Sequence, residues 1–356
     1  MPERSDGSAH TSAPALEVLA AGFHSSIQDC GRNRDYEAGI PPGGAQDLLA
    51  FRLASVVVGN APGRPLGMPG DAGDAGVEAL MFGLRLRVLR ETAIALGGPV
   101  EATLNGAPLP AWTAVRMCAG DELELGKSPF GLRSYVAIAG GIDVPAYVGS
   151  RSLLVRGRIG GVEGRALKRG DVLSTYEPRA SLDAIEGCRV PERLRPDYDE
   201  RHTLRVLLGP QDYLFTEESV ETFLTSDWRV TPVADRVAVR FSGPRLSYKP
   251  RGAYLDEHAG PDPSFIVVDP VPVGGVQVAA DGQLMIMGVD AGSLGGFAKI
   301  ACVATSDGGR MGQLRPGEPV RFEAIDHAAA LALREAQERA VAQTAAACGA
   351  ALEVET

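Results

Sequence analysis

The chain has 356 residues, a net charge of -10 and a pI near 5.1, a balance that excludes broad polyanion binding and leaves nucleic acid and acidic membranes as poor general partners. Its length predicts about two domains with a sizeable core. With 44 glycines, 25 prolines and 6% aromatic residues, against a usual combined Gly and Pro share of roughly 12%, it is composed as a turn-rich β protein and not as a helical one.

Residues 1 to 14 are small and polar and are expected to be disordered. A first domain is expected over residues 15 to 178. It opens with a strand from Leu16, turns at Asp29 to Arg32, and passes through a loop into a helix with apolar residues Leu48, Leu49, Phe51, Leu53 and Val56 to Val58. Asp47 stands at the start of that helix, where a carboxylate suits the helix dipole, and Asn60 ends it. A Pro/Gly/Asp-rich surface loop comes next, up to Gly76. Short strands are then predicted over 84–91, 92–98, 100–106, 111–117 and 121–127, with Asn105-Gly106 the clearest hairpin signal.

From Gly131 to Leu173 the pattern is densest. Ser134 to Ala139 read as a strand, and Gly140-Gly141, Gly160-Gly161, Gly164 and Gly170 punctuate the residues after it. Arg133, Arg151, Arg156, Arg158, Arg165, Lys168 and Arg169 sit among these turns and predict a local cationic loop surface suited to an anionic ligand. Residues 179 to 201 are charged and proline-bearing, without a sustained apolar period, and are expected to be a linker. A second β domain is expected over 202 to 325, with a helix near Glu217 to Leu224, and an alanine-rich closing helix over 326 to 348.

The five cysteines are odd in number, dispersed and free of C-x-x-C pairs, which predicts reduced thiols and neither a disulfide framework nor a zinc site. The five histidines have no metal-ligand spacing, so no metal site is expected. No run of roughly 18 apolar residues occurs, and the amino terminus lacks a signal-peptide pattern, so a soluble, cytoplasmic protein is expected. Gly120 to Ser128 looks at first like a phosphate loop, but Asp121 stands where a glycine belongs, and the alternation of Leu123 and Leu125 with Glu122 and Glu124 predicts a strand.

Several motifs recur in order. Gln28-Asp29, Gly31 and Arg32 form a Q-D-x-G-R turn, and Gly44 to Asp47 form a G-x-Q-D step. Arg133-Ser134-Tyr135 leads into Gly140-Gly141-Ile142-Asp143-Val144, then Gly149-Ser150-Arg151-Ser152 and Ile159 to Leu173. The second half has Leu208 to Gln211, Asp235-Arg236 through Arg240, Gly275 to Val278, and Asp290 to Phe297. Taken as one strand, Arg236 and Arg240 would project on the same face, and Gly295-Gly296 would open backbone N–H groups to an anion.

This series closely resembles the carboxyltransferase-like family that contains the C-type subunit of 5-oxoprolinase, the carboxyltransferase part of urea carboxylase, and the partner of a bacterial kinase inhibitor. The resemblance implies a mainly β fold of two cyclophilin-like β-barrel domains, with a few short helices, a C-terminal helix and a site between the barrels. It implies a subunit that opens a lactam, 5-oxoproline to glutamate, using ATP with Mg together with B-like and A-like subunits. By that resemblance Asp29, Asp47, Arg236 and Arg240 are the expected catalytic residues. Gln28, Arg32, Glu78, Arg151, Gln277, Asp290, Ser293, Gly295 and Gly296 are the expected substrate contacts. Two alternatives remain open: a biotin-dependent carboxyltransferase acting on a urea-like amide, or a non-catalytic partner of a kinase-inhibitor-like protein. No biotin-attachment motif occurs, so any biotin is expected on another chain. Gly292, Ser293, Leu294, Phe297 and Val239 depart from the family's usual residues and remove polar groups, which predicts a changed substrate or a lost activity.

Overall fold

The structure is a computed structural model and describes residues 11–32, 36–65, 67–68, 70–198 and 202–349. Most of the expected tail, and residues 199–201 of the expected linker, lie outside the described residues. Among the described residues, eleven strands build the first half. They are β1 (Ala13–Ala21), β2 (His24–Gln28), β3 (Gly76–Leu80), β4 (Leu84–Val88), β5 (Thr92–Gly97), β6 (Ala102–Leu104), β7 (Ala107–Leu109), β8 (Val115–Met117), β9 (Glu122–Leu125), β10 (Arg133–Ile138) and β11 (Val172–Thr175). One sheet runs β11-β1-β4-β9-β6-β7 and the other β2-β3-β10-β5-β8. β1 opens at Ala13, inside the stretch expected to be disordered, and pairs its first residues with β11.

Strand β10 is buried along its whole length because it separates two cores. Val136 and Ile138 face the apolar space between the two sheets. Tyr135, Ala137 and Ala139 face the opposite way, against α1 (Leu48–Val57). Successive side chains of a strand alternate between faces, so a continuous apolar run fits such a position. α1 can approach closely because Gly97 carries no Cβ; one placed there would lie 2.5 Å from the Ala50 carbonyl oxygen. Asp47 caps the helix by accepting from the Ala50 N–H, as the sequence predicts.

The stretch expected to be a linker is packed instead of loose. It carries α2 (Leu182–Ile185) and buries Ile185 and Val190 in the core beside α1. Leu182, Leu194 and Tyr198 pack against the same core, so a few spaced apolar residues hold the strap.

The second half is a closed barrel, β12-β19-β16-β17-β14-β13-β20. Its strands are β12 (His202–Leu208), β13 (Trp228–Ala234), β14 (Ala238–Ser242), β16 (Gly275–Val278), β17 (Leu284–Met287), β19 (Lys299–Val303) and β20 (Pro319–Ala324). The parallel pairing of β12 with β20 closes it around Leu204, Val206, Phe241, Ile286, Ile300 and Phe322. A two-stranded ribbon, β15 (Phe265–Pro270) with β18 (Leu294–Phe297), lies outside this ring. The remaining helices are α3 (Glu217–Thr225), α4 (Ala253–Ala259), α5 (Gly308–Gln313) and α6 (His327–Ala347). The mainly β expectation, with few helices and a closing one, is met.

α6 returns to the first half. Val341 and Ala345 join the core around α1, and Glu338 receives two hydrogen bonds from the buried Arg52 guanidinium. No helix among the described residues is long and apolar enough to cross a membrane.

Candidate functional site

The two halves meet through a buried charged network centred on Arg236. Its guanidinium donates to both Asp290 oxygens at 2.8 and 3.0 Å, to Glu78 Oε1 at 2.7 Å, to the Gly44 carbonyl at 2.8 Å and to Gln28 Oε1 at 3.4 Å. Glu78 is the first half's contribution, presented by β3 and 4% exposed. Its second oxygen accepts from the Gln46 N–H and the Tyr135 hydroxyl, and Arg133 Nε lies 3.7 Å from the first. Arg133 and Tyr135 are two apart on β10 and therefore share a face, a periodicity readable in the sequence although their partners were not.

A second tie crosses the same junction. Gln313 of α5 donates to Asp47 Oδ2, which also accepts from the Tyr198 hydroxyl, both at 2.8 Å. Gln313 Oε1 accepts the N–H groups of Leu132 and Arg133.

Burial alone would raise the Glu78 carboxyl, but Arg236 and then Arg133 outweigh it and hold the group below its ordinary 4.5. Asp47 shifts the other way: burial raises it from 3.8, against the hydrogen bonds from Gln313 and Tyr198. A carboxyl lowered in the folded state contributes stability above its unfolded value and loses it as pH falls through the lowered one. A raised carboxyl costs stability as pH rises through the interval between its two values. The melting-temperature gap between wild type and Glu78→Gln is therefore expected to be widest above pH 4.5 and to shrink as pH falls below it. A gap that stays constant through that range would show that Glu78 is not the charged partner of Arg236.

Asp29 is buried and bonded through both carboxylate oxygens. Its Oδ1 accepts from the Gly31 N–H and the Ser150 and Ser152 hydroxyls, and its Oδ2 from the Arg151 N–H. The carboxylate is buried and held by four donors, three on one oxygen, so chemically it staples the turn after β2 to the Gly149–Ser152 loop. Arg32 reaches the carbonyls of Tyr147 and Ser152, and burial is the main influence lowering its pKa. The Arg151 side chain leans away, over the ring of Tyr176. The predicted cationic loop surface is divided: Arg133 is buried in the junction, and Arg165 is held by Asp171 and Glu163.

The second-half candidates fall into separate places. Arg236 sits in the turn before β14, so the shared strand face with Arg240 does not exist; Arg240 lies on the strand and bonds Gln283. Gly295 and Gly296 belong to β18, paired with β15, and do not form an open loop. Gly295 is needed for close approach, since a Cβ there would lie 2.8 Å from Val271 Cγ2 and 3.2 Å from Gln277 Nε2. Gln277 is thus covered by the ribbon, and Ser293 is buried just before it. Beside Gln277, the fully buried Lys299 donates to Asp269, which also accepts from Gln211, both at 2.9 Å. Lys299 was not among the residues expected from the sequence, although a lysine within an apolar strand was its signal.

A cavity of about 440 Å³ lies beside the junction, between residues 30–52, residues 272–311 and α6. Arg32, Gln46, Leu49, Val289 and Ser306 line it. Larger, more open hollows at residues 186–195 and beside α3 touch none of the network. Among the described residues no group of three or more His, Cys, Asp or Glu could hold a metal ion.

Comparison with known proteins agrees with this architecture. Urea amidolyase of Lachancea kluyveri is 34% identical over 92% of this chain, yet the chain spans only 18% of that protein. The C-type subunit of 5-oxoprolinase from Escherichia coli is 32% identical, with 93% of this chain matched to 97% of that one. The crystal structure of Kluyveromyces lactis urea carboxylase superposes with a TM-score of 0.84 at 34% identity, over 94% of this chain and 29% of that one. The family model for the carboxyltransferase domain, subdomains A and B, matches residues 38–324, and the chain belongs to that family.

Proposed function

We propose that this chain is the C-type subunit of an ATP-dependent, 5-oxoprolinase-like amidohydrolase that opens a lactam, 5-oxoproline to glutamate. The observation that supports this reading is the 32% identity to the C-type subunit of 5-oxoprolinase from Escherichia coli, matched over 93% of this chain. The proposed partners are A-like and B-like subunits, and the proposed compartment is the cytoplasm.

An unstrained amide is a poor electrophile, and phosphorylating its oxygen creates a leaving group. When bound, ATP with Mg would supply that activation. The junction does not fit a magnesium nucleotide: Glu78 and Asp290 are held by Arg236, and Asp29 is buried and held by four donors. We therefore place the nucleotide outside the junction of this chain. In this reading Asp47 and Arg236 position the two halves, Asp29 fixes the loop beside them, and substrate contacts come from groups with spare hydrogen-bonding capacity.

Mixing the chain with its A-like and B-like partners is expected to give ATP consumption coupled to glutamate release, absent when this chain is omitted. An assembled complex with no turnover would remove the reading. A second reading, a carboxyltransferase acting on a urea-like amide, is favoured by the superposition on urea carboxylase. It predicts urea carboxylation once a biotinylated carrier is supplied. Neither activity, with tight binding to a kinase-inhibitor-like protein, would favour a sequestering role.

A further inference from the structure

Seven buried side-chain atoms among the described residues lack a hydrogen-bond partner, and four of them line the cavity between the halves. They are Nη1 of Arg32, both polar atoms of the Gln46 amide, and the hydroxyl of Ser306. The three residues are 1, 3 and 7% exposed. They come from the turn after β2, the residue before the α1 cap, and the segment preceding α5. Buried polar groups are normally satisfied, and each orphan costs about 1–3 kcal/mol. A concentration of them on one cavity marks hydrogen-bonding capacity that a bound molecule can take up.

The chemistry of the three is specific. Arg32 spends its other donors on carbonyl oxygens, and no described carboxylate accepts a hydrogen bond from it. Asp290 lies nearby, but both its oxygens are held by Arg236. Gly43 keeps the space before Nη1 open, since a Cβ there would lie 3.0 Å from that atom. A buried guanidinium in this condition suits an anion, above all a carboxylate. Gln46 presents a donor and an acceptor side by side. The matching edge is a cis amide, whose C=O and N–H point the same way; a small ring holds an amide cis, whereas chain amides are trans.

We infer that this cavity binds a small cyclic amide that carries a carboxylate, with the carboxylate on Arg32, the ring amide paired with Gln46, and Ser306 supplying a third contact. This rests on the lactam reading above and locates its substrate. The position of Gln46, directly before the α1 cap and bonded through its own N–H to Glu78, ties the pocket to the junction.

The test is calorimetric titration without ATP of the full chain, alone and in complex with its partner subunits, using three probes. 5-Oxoproline has both groups, 2-pyrrolidinone lacks the carboxylate, and proline lacks the ring carbonyl. 5-Oxoproline is expected to bind more tightly than either analogue. Gln46→Met, close to volume-conserving, is expected to weaken it about tenfold or more and to erase the preference over proline. Arg32→Gln is expected to erase the preference over 2-pyrrolidinone. Should Arg32→Gln not fold, Gln46→Met and Ser306→Ala carry the test. No binding to chain or complex, meaning a cavity filled by ordered water only, overturns the inference. So does 5-oxoproline binding unchanged in Gln46→Met and Ser306→Ala. Binding that depends on these side chains without turnover sinks the amidohydrolase reading and keeps the site, while turnover indifferent to Gln46→Met does the reverse.

Discussion

Arg236→Met is expected to lower the unfolding free energy by about 3–5 kcal/mol, because it leaves two buried carboxylates without their shared cation. Arg236 is the link between Glu78 in one half and Asp290 in the other, and its side chain is 11% exposed. Methionine fills similar volume, so lost charge compensation dominates over lost packing. The check is denaturant unfolding followed by two probes, one reporting on the barrel through Trp228 and one on overall secondary structure. Adding Glu78→Gln and Asp290→Asn to Arg236→Met is expected to recover part of the loss by removing the orphaned charges. A single variant within about 1 kcal/mol of wild type would mean that water reaches the junction and the network is worth no more than a surface pair.

Asp29→Asn is expected to cost about 2–4 kcal/mol despite being nearly isosteric. Every neighbour of the Asp29 carboxylate is a donor, two of them backbone N–H groups that cannot reorient. The new NH₂ group must therefore face an N–H or a hydroxyl, whichever way the amide is turned. Serines can rotate their protons, so the milder orientation places NH₂ toward Ser150 and Ser152, where it still crowds the Gly31 N–H. Urea unfolding and amide exchange of Gly31 and Arg151 measure it. Unchanged exchange at both positions would contradict the staple.

Much of the fold was legible because local rules and tertiary demands coincide. Asn105 and Gly106 adopt φ of 52° and 82°, the left-handed pair that a tight hairpin requires, and Asp47 caps α1. The candidate site was legible only as a set of positions. Arg236 and Arg240 share a face only if the strand runs through both, but Asp235 Oδ1 accepts the N–H groups of Val237 and Ala238, which makes a turn and starts β14 later. That turn frees Arg236 to reach Glu78, a partner far away in sequence that no periodicity can supply. Gly295-Gly296 misled for a related reason, because glycine signals either a left-handed turn or a close approach, and here it is the second. Gln46 was overshadowed by its neighbour Asp47, since an unsatisfied amide becomes visible only when the surrounding atoms are placed.

The return of α6 to α1 also fixes an order of events during synthesis. Residues 327–347 emerge from the ribosome after both sheets and the barrel have been translated. Until then α1 lacks Val341 and Ala345 against its flank, and the nearly buried guanidinium of Arg52 has no Glu338. The amino-terminal half, though made first, is therefore finished last, and the α1 flank stays uncovered through the whole translation of the barrel, until α6 has emerged.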